Sequence, residues 1–219
     1  MGPADRLDLP VPAFRLAPLR DEAVYPASGL HPAGFAALDG VFDDALCDAL
    51  IAVFDAVGGH TASLVKGVQS AGIRRSRVLW FDADSSPDPD LTAAVDRRMA
   101  EVTALLNRTR FGFALDGFDE AFQIARYDAE IAGGYIRHVD RGEGPRARRR
   151  KLGISIQLSA PETYDGGDLI LEPQAVPITG PRRRGTAIAF PSYVVHEVTP
   201  VTRGCRYSFV AWVHGPGFV

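Results

Sequence analysis

The chain has 219 residues, of which 46% are hydrophobic and 23% are charged. This composition argues against global disorder, and the length suits one domain or one domain with a helical extension. The formal net charge of −3 gives no electrostatic reason to expect a nucleic-acid or membrane partner.

The first 38 residues are rich in proline and lack helical periodicity, so we expect residues 1–38 to run extended over the surface. They also lack the basic start and apolar run of a signal peptide, and no stretch approaches the roughly 18 apolar residues of a membrane span. Cys47 and Cys205 are far apart and have no CxxC partner, which is typical of reduced, buried thiols. The sequence therefore predicts a soluble cytoplasmic protein.

Two segments have the spacing of amphipathic helices. The first, residues 43–57, can be capped by Asp43 or Asp44 and ends at Gly58-Gly59. The second, residues 89–107, has its start signal in Pro89 with Asp90. The apolar stripes are Leu46, Leu50, Ile51 and Phe54 in the first helix, and Leu91, Val95, Met99, Val102 and Leu106 in the second. Between the helices, "IRRSRVLWF" predicts one strand.

After about residue 111 the chain consists of short β-like runs separated by turn residues. The runs are residues 121–127, 134–140, 152–158, 167–173, 185–192, 196–201 and 206–215, and the separators include Gly133-Gly134, Gly166-Gly167, Pro181 and Gly204. Many short strands with Gly/Pro turns indicate a sandwich or barrel. Helices followed by strands predict a mainly β fold with α-helices packed on the outside of a jelly roll.

A candidate metal site lies in "GYIRHVD". Residues i and i+2 of a strand point to the same face, so His138 and Asp140 should project together. Of the five histidines, only His196 follows an apolar strand within the β region. Two histidines and one carboxylate form the facial triad of non-haem Fe(II) oxygenases, which leaves coordination positions open. The alternative is a satisfied polar pair at His138 and Asp140.

A candidate anion site follows in "CRYSFVAWV". Arg206, Ser208, Val210 and Trp212 share one face of this strand, and the residues around Arg206 are apolar or small. A buried guanidinium needs an acidic partner, and a ligand carboxylate fits its planar fork. Ser208 could add a hydrogen bond.

Taken together, these motifs resemble the prolyl 4-hydroxylase-type Fe(II)/2-oxoglutarate-dependent dioxygenases, including the bacterial PKHD-type hydroxylases. The resemblance is clearest over residues 121–215, and "YDGGDLIL" and "AIAFPSYVVHEV" are similar to family segments. It implies a cupin-like double-stranded β-helix. It also implies that His138, Asp140 and His196 bind Fe(II), and that 2-oxoglutarate and O2 are cosubstrates, with ascorbate as a reductant.

The resemblance implies further site residues. Arg206, aided by Ser208, would bind the far carboxylate of 2-oxoglutarate, and Tyr127 matches a family tyrosine that reaches the cosubstrate. Gln157 occupies a position where some relatives carry a cosubstrate-binding tyrosine. "IRRSRVLWF" resembles a strand bordering the substrate site, so Arg74 and Trp80 are candidate substrate contacts, with a rim charge and a core aromatic as the alternatives. Tyr135 could line the substrate mouth or be structural.

The expected domain is a single dioxygenase unit over residues 1–219, with a helical and strand support region at 1–110 and the jelly-roll core at 111–219. The expected reaction hydroxylates an unactivated C–H bond of a prolyl residue, free amino acid or similar small or peptidyl substrate, releasing succinate and CO2. Two alternatives stay open: a natural-product oxygenase performing desaturation or ring chemistry, and a non-catalytic cupin-like metal sensor. No sequence feature indicates an oligomeric state.

Two arginine-rich pieces, residues 146–151 and 181–185, fall at predicted loops and are interpreted as solvated. A further hypothesis is that Arg146, Arg148, Arg149 and Arg150 border the active-site entrance and steer an acidic substrate. His214, near the C-terminus, is interpreted as a solvated residue.

Overall fold

The computed structural model describes residues 16–21, 24–25, 34–61, 63–65, 68–69, 72–84, 86 and 88–218. Both predicted helices are present, as α1 (Asp44–Val57) and α2 (Pro89–Leu106). The side chain of Asp43 accepts a hydrogen bond from the Leu46 amide at 2.8 Å, which caps α1. Asp88 caps α2 in the same way, one residue before the predicted start. Every residue of the two predicted apolar stripes is buried except Ile51, which is half-buried.

The rest of the ordered secondary structure is mostly short strands. In chain order they are β1 (Val24–Tyr25), β2 (Ala36–Leu38), β3 (His60–Thr61), β4 (Ser63–Val65), β5 (Val68–Gln69), β6 (Arg74–Arg75), β7 (Arg77–Phe81), β8 (Phe122–Asp128), β9 (Gly134–His138), β10 (Arg150–Gln157), β11 (Tyr164–Gly166), β12 (Leu169–Glu172), β13 (Ile178–Thr179), β14 (Ala187–Pro191), β15 (Val195–Val198) and β16 (Val201–His214). A π-helical turn (Asn107–Phe111) extends α2, and single 3₁₀ turns lie at Ala129–Ile131, Ala147–Arg149 and Pro161–Thr163.

The strands form two main antiparallel sheets. The large sheet has the order β1-β2-β14-β10-β16-β8-β7-β3, with β11 paired to β16, and the small sheet has the order β13-β12-β15-β9-β6. One apolar cluster packs α1 and α2 against the outer face of the large sheet. A second cluster lies between the two sheets, where Ala125 and Ile188 of the large sheet meet Leu171 of the small one. This is the predicted jelly roll with helices on its outside.

Three sequence predictions about strands are corrected. Ala36–Leu38 does not run over the surface, because these small apolar residues form a buried strand of the large sheet; most of residues 1–35 lies outside the described ranges. The segment 73–81 is two strands, broken at Ser76, because β6 pairs with β9 in the small sheet and β7 pairs with β8 in the large one. Gly204 lies inside β16 and does not separate strands.

The arginines of 181–185 are not simply solvated. Arg182 donates to Asp168 at 2.7 Å and lies over the Tyr164 ring, and Arg184 donates to Asp48 of α1. These pairs connect the β13–β14 loop to neighbouring elements.

Cys47 is buried and Cys205 is half-buried, and both are free thiols. Neither α-helix within the described ranges has the length and apolar character needed to cross a membrane.

Gly204 provides a test of the packing where β16 meets the β10–β11 connection. Its φ is +70°, and a Cβ at this position would collide with the carbonyl oxygen of Thr163. Gly40 has a similar φ of +65° but nothing within 4 Å of the same position. We expect Gly40→Ala to lose about 1 kcal/mol of unfolding free energy from backbone strain alone. Gly204→Ala should lose at least about 2 kcal/mol, because overpacking adds to the strain.

Urea denaturation of both variants measures the difference. Equal losses in Gly40→Ala and Gly204→Ala would contradict the close approach of β16 to Thr163.

Candidate metal centre and anion pocket

The small sheet brings the three predicted ligand residues together. His138 is the last residue of β9, and it lies directly opposite His196 of β15 in the antiparallel register. Asp140 follows in the turn beyond β9, not within the strand as predicted. Its Oδ1 lies 3.9 Å from His138 Nε2 and 3.7 Å from His196 Nε2. One donor atom from each residue falls within 4.8 Å of the others, which is the spacing of ligands around a single ion.

Backbone carbonyls orient both imidazoles. Nδ1 of His138 lies 2.9 Å from the Ile136 carbonyl oxygen, and Nδ1 of His196 lies 3.0 Å from that of Val194. In each ring, Nδ1 therefore carries the proton and donates to the carbonyl, so the Nε2 lone pair is free and directed at the cluster. Fixing the tautomer in this way is typical of metal-binding histidines.

The surroundings also favour the neutral imidazole. Burial and, to a smaller extent, the neighbouring His196 lower the pKa of His138 to about 4, while Asp140 opposes both effects. A neutral ring is the form that binds a metal, so this site has its donor lone pair available at neutral pH.

Aromatic rings cover the cluster on two sides. The Tyr135 ring stacks on His138 with centroids 3.5 Å apart and planes 17° apart. Phe190 lies 4.6 Å from the ring centroid of His196. Arg74 reaches over the outer face of Tyr135 at 5.0 Å, and its guanidinium donates to Ser76 and Gln123. Burial raises the pKa of Tyr135 to about 12, so its hydroxyl stays protonated.

Arg206 is a buried cation at the inner end of the same cavity. Only 1% of its surface is exposed. Nε and Nη2 donate to Gln157 Oε1 at 3.2 and 3.0 Å, whereas Nη1 is buried without a partner among the described residues. The Tyr127 ring lies 5.5 Å from the guanidinium carbon. A buried donor without an acceptor is costly, and a ligand carboxylate would satisfy it.

Eight of the ten sequence-predicted site residues line one cavity of about 50 Å³. They are Arg74, Tyr127, Tyr135, His138, Asp140, His196, Arg206 and Ser208. Gln157 is not among the lining residues and contacts Arg206 instead. The predicted alternation along β16 is observed, since Arg206, Ser208, Val210 and Trp212 all face the cavity. The residues that sequence reasoning did not assign to the site are Gln123, Ile154, Ser155, Leu169, Phe190, Val198, Val210 and Trp212.

Trp80 lies beside the cavity and not in the core. It is 44% exposed, and its ring is 6.1 Å from that of Trp212. The alternative interpretation of Trp80 as a core aromatic is therefore wrong. Trp80 shares one face of β7 with Val78, which is buried between the sheets, but Trp80 itself is exposed.

A polar network of Arg150, Glu120 and His214 contacts the backbone of Asp140. Arg150 donates to the Asp140 carbonyl oxygen at 3.1 Å and to Glu120 at 2.8 Å, and it stacks 4.0 Å over Trp212. His214 donates from Nε2 to the same Glu120 at 2.9 Å. His214 is fully buried, so its interpretation as a solvated residue is wrong: the partner carboxylate compensates for its burial.

Comparison with known proteins agrees with this geometry. Residues 122–214 match the family model of the 2OG-Fe(II) oxygenase superfamily. A PKHD-type hydroxylase of Hyphomonas neptunium is 38% identical over 82 residues, which cover 36% of this chain and 37% of that protein. A PKHD-type hydroxylase of Synechococcus elongatus is 29% identical over 160 residues, covering 70% and 69%. In the first three curated relatives, the match spans only 37%, 29% and 29% of their length.

The fold has solved counterparts. A Trichoplax adhaerens prolyl hydroxylase, solved in complex with a hypoxia-inducible-factor peptide fragment, superposes with a TM-score of 0.69 at 18% identity. The superposition covers 83% of this chain and 84% of that one. The predicted jelly roll is thus confirmed.

Residues 122–214 are therefore similar to the 2OG-Fe(II) oxygenase superfamily, whose members use Fe(II), 2-oxoglutarate and O2. Within that class, the chain is similar to PKHD-type hydroxylases, as the sequence motifs predicted.

The lowered pKa of His138 predicts a pH dependence of stability in the metal-free protein. Because the unfolded chain binds this proton near pH 6.5 and the folded chain only near pH 4, acidification through this window favours unfolding. We expect the free energy of unfolding to fall between about pH 6.5 and 4 more steeply in the wild type than in His138→Gln, which removes the titrating ring. Urea titrations across this range measure it, and identical slopes would contradict the prediction.

Proposed function

We propose that this protein is an Fe(II)- and 2-oxoglutarate-dependent dioxygenase that hydroxylates an unactivated C–H bond. The expected substrate is a prolyl residue, free amino acid or similar small molecule, and the coproducts are succinate and CO2. The observation that carries the proposal is the convergence of His138, Asp140 and His196 in one cavity with the unpartnered Nη1 of Arg206. A metal site alone would fit many functions; a buried cation beside it fits a dicarboxylate cosubstrate.

Each residue has a distinct role in the proposal. Nε2 of His138, Nε2 of His196 and the carboxylate of Asp140 hold the iron, which together with 2-oxoglutarate and O2 supplies the oxidising chemistry. The Ile136 and Val194 carbonyls keep both imidazoles in the ligating tautomer. Three protein ligands leave further coordination positions available for exchangeable groups.

Arg206 is proposed to bind the far carboxylate of 2-oxoglutarate through Nη1, with Ser208 and Tyr127 beside it on the cavity wall. Gln157 is proposed to act on the cosubstrate indirectly. Its Oε1 accepts from two nitrogens of the guanidinium and so limits the rotation of Arg206.

Tyr135, Arg74 and Trp80 are proposed to face the substrate. The first two line the cavity, and Trp80 lies at its border against Trp212. The Trichoplax protein that shares this fold is a prolyl hydroxylase solved with a bound peptide fragment, which supports a prolyl or peptidyl substrate by likeness.

The metal and cosubstrate can be tested together. Fe(II) and 2-oxoglutarate added without oxygen should produce a weak visible absorption band, and oxygen with ascorbate should then yield succinate. His196→Ala should lose both signals because one of three ligands is gone. His60→Ala should keep both, since His60 is exposed on the edge strand β3. A well-folded wild type that gives neither band nor succinate would contradict the proposal and favour a non-catalytic metal-binding role.

The anion site has its own test. We expect Arg206→Leu to raise the KM for 2-oxoglutarate by at least about 30-fold, because a buried charge-assisted contact is worth about 2 kcal/mol or more. The matched control is Arg203→Leu, three residues earlier in β16, where an exposed guanidinium pairs with Asp165. Thermal melting should establish that both variants are folded. An unchanged KM in folded Arg206→Leu would remove Arg206 from the cosubstrate site.

A further inference from the structure

The segment 141–151, between Asp140 and the body of β10, is strongly basic. It contains six cations and one carboxylate, Glu143, in a chain whose net charge is −3. The cations are Arg141, Arg146, Arg148, Arg149, Arg150 and Lys151.

Only some of these cations are neutralised. Arg149 donates to Asp116 at 2.7 Å and to Asp119, and Arg150 pairs with Glu120. Arg149 and Arg150 are thus held by carboxylates, so the hypothesis of four steering arginines does not apply to these two. Counting the six cations against Glu143, Asp116, Asp119 and Glu120 leaves a local charge of +2.

Lys151 has no ion pair among the described residues but is buried, so the exposed excess charge falls on Arg141, Arg146 and Arg148. All three side chains are exposed, and no carboxylate of the described residues forms an ion pair with them. Burial lowers the pKa of the nearby Lys151, and the positive charge of Arg141 lowers it further.

Arg141 and Arg148 line an open groove at the same end of the jelly roll as the metal centre. A hollow of about 550 Å³ is lined by Val139, Arg141, Gly142, Glu143, Arg148 and Tyr193. A second hollow of about 390 Å³ shares Arg141 and Arg148 with the first and continues to Phe218. Val139 lies between His138 and Asp140 in the sequence, and Tyr193 lies three residues before His196. The groove therefore begins beside the segments that carry the ligand residues.

The side chains that line the groove are suited to binding an acidic peptide. Guanidinium groups bind carboxylates in a planar, bidentate manner, and the exposed side chains of Val139 and Tyr193 offer apolar contact to neighbouring residues. Two joined hollows suit an extended chain better than a small molecule. The local charge of only +2, with Glu143 in the wall, is weak for a nucleic-acid backbone.

We propose that the groove lined by Arg141, Arg148 and Tyr193 binds an acidic stretch of a peptide substrate while the residue to be oxidised enters the inner cavity. This inference rests on the proposed function and narrows its substrate class to peptidyl substrates that carry carboxylates beside the target residue.

The test compares two fluorescein-labelled ten-residue peptides, each with one proline, flanked by either four glutamates or four glutamines. Binding is followed by fluorescence anisotropy under anaerobic conditions with Fe(II) and 2-oxoglutarate present. We expect the glutamate peptide to bind about tenfold more tightly at about 50 mM salt, because two exposed guanidiniums gain partners. The advantage should shrink at about 500 mM salt, where surface charges are screened.

The double variant Arg141→Glu/Arg148→Glu should lose the preference for the glutamate peptide. The control Arg97→Glu introduces one such charge reversal on the exposed face of α2, on the opposite side of the large sheet, and should retain the preference. Thermal melting should show that both proteins are folded, as expected for exposed positions.

Equal binding of the two peptides, an equal loss of preference in Arg97→Glu, or tighter binding of a sixteen-base oligothymidylate would each overturn the inference. The visible band and the formation of succinate by the wild type report on the oxygenase function separately. If both are present without any peptide preference, only the acidic-peptide inference fails.

Discussion

The site depends on one register, the antiparallel pairing of β9 with β15. That pairing places His196 directly opposite His138, so the two imidazoles meet across the small sheet with centroids 4.1 Å apart. A shift by one residue would turn one ring to the other face of the sheet and separate the donors. Asp140 then needs only the turn after β9 to reach both rings, and Arg150 holds that turn by donating to the Asp140 carbonyl oxygen.

The large sheet contributes a buried cation, Arg206 of β16, to the same site. Arg206 is almost fully enclosed, and burying a charge is tolerated only when the charge is compensated. Gln157 offers one neutral oxygen to two of its nitrogens, which satisfies hydrogen bonds but not charge. Nη1 has no hydrogen-bond partner among the described residues, and Arg206 lines the cavity. A buried guanidinium whose charge is not balanced by a carboxylate is a candidate binding group for an anionic ligand.

The features that could be predicted are those determined by residues close together in the sequence. Strand alternation was enough to predict that Arg206, Ser208 and Trp212 share the cavity face, because side-chain direction in a strand repeats every two residues. Helix caps and apolar stripes are equally local, and the bounds of α1 and α2 agree with the predicted bounds to within one residue. What the sequence could not predict depends on contacts between distant segments. The partnership of Gln157 with Arg206 follows from the register of β10 against β16, and no local pattern encodes it. The break at Ser76 arises because its neighbours pair with different sheets. His214 was interpreted as solvated because it lies near the C-terminus, yet Glu120, 94 residues earlier in the chain, accepts a hydrogen bond from its ring.

The arginines after Asp140 show why charge runs need a structure before they can be interpreted. In the sequence, Arg148, Arg149 and Arg150 are equivalent members of one basic run. In the fold, Arg150 lies in a strand and supports Asp140, Arg149 connects the loop to two aspartates, and Arg148 lines an open groove. The backbone directs consecutive side chains to different surroundings, so adjacent identical residues make different contacts. Positive charge that the fold has already neutralised contributes little to recognition, and only the unpaired remainder can favour an acidic partner.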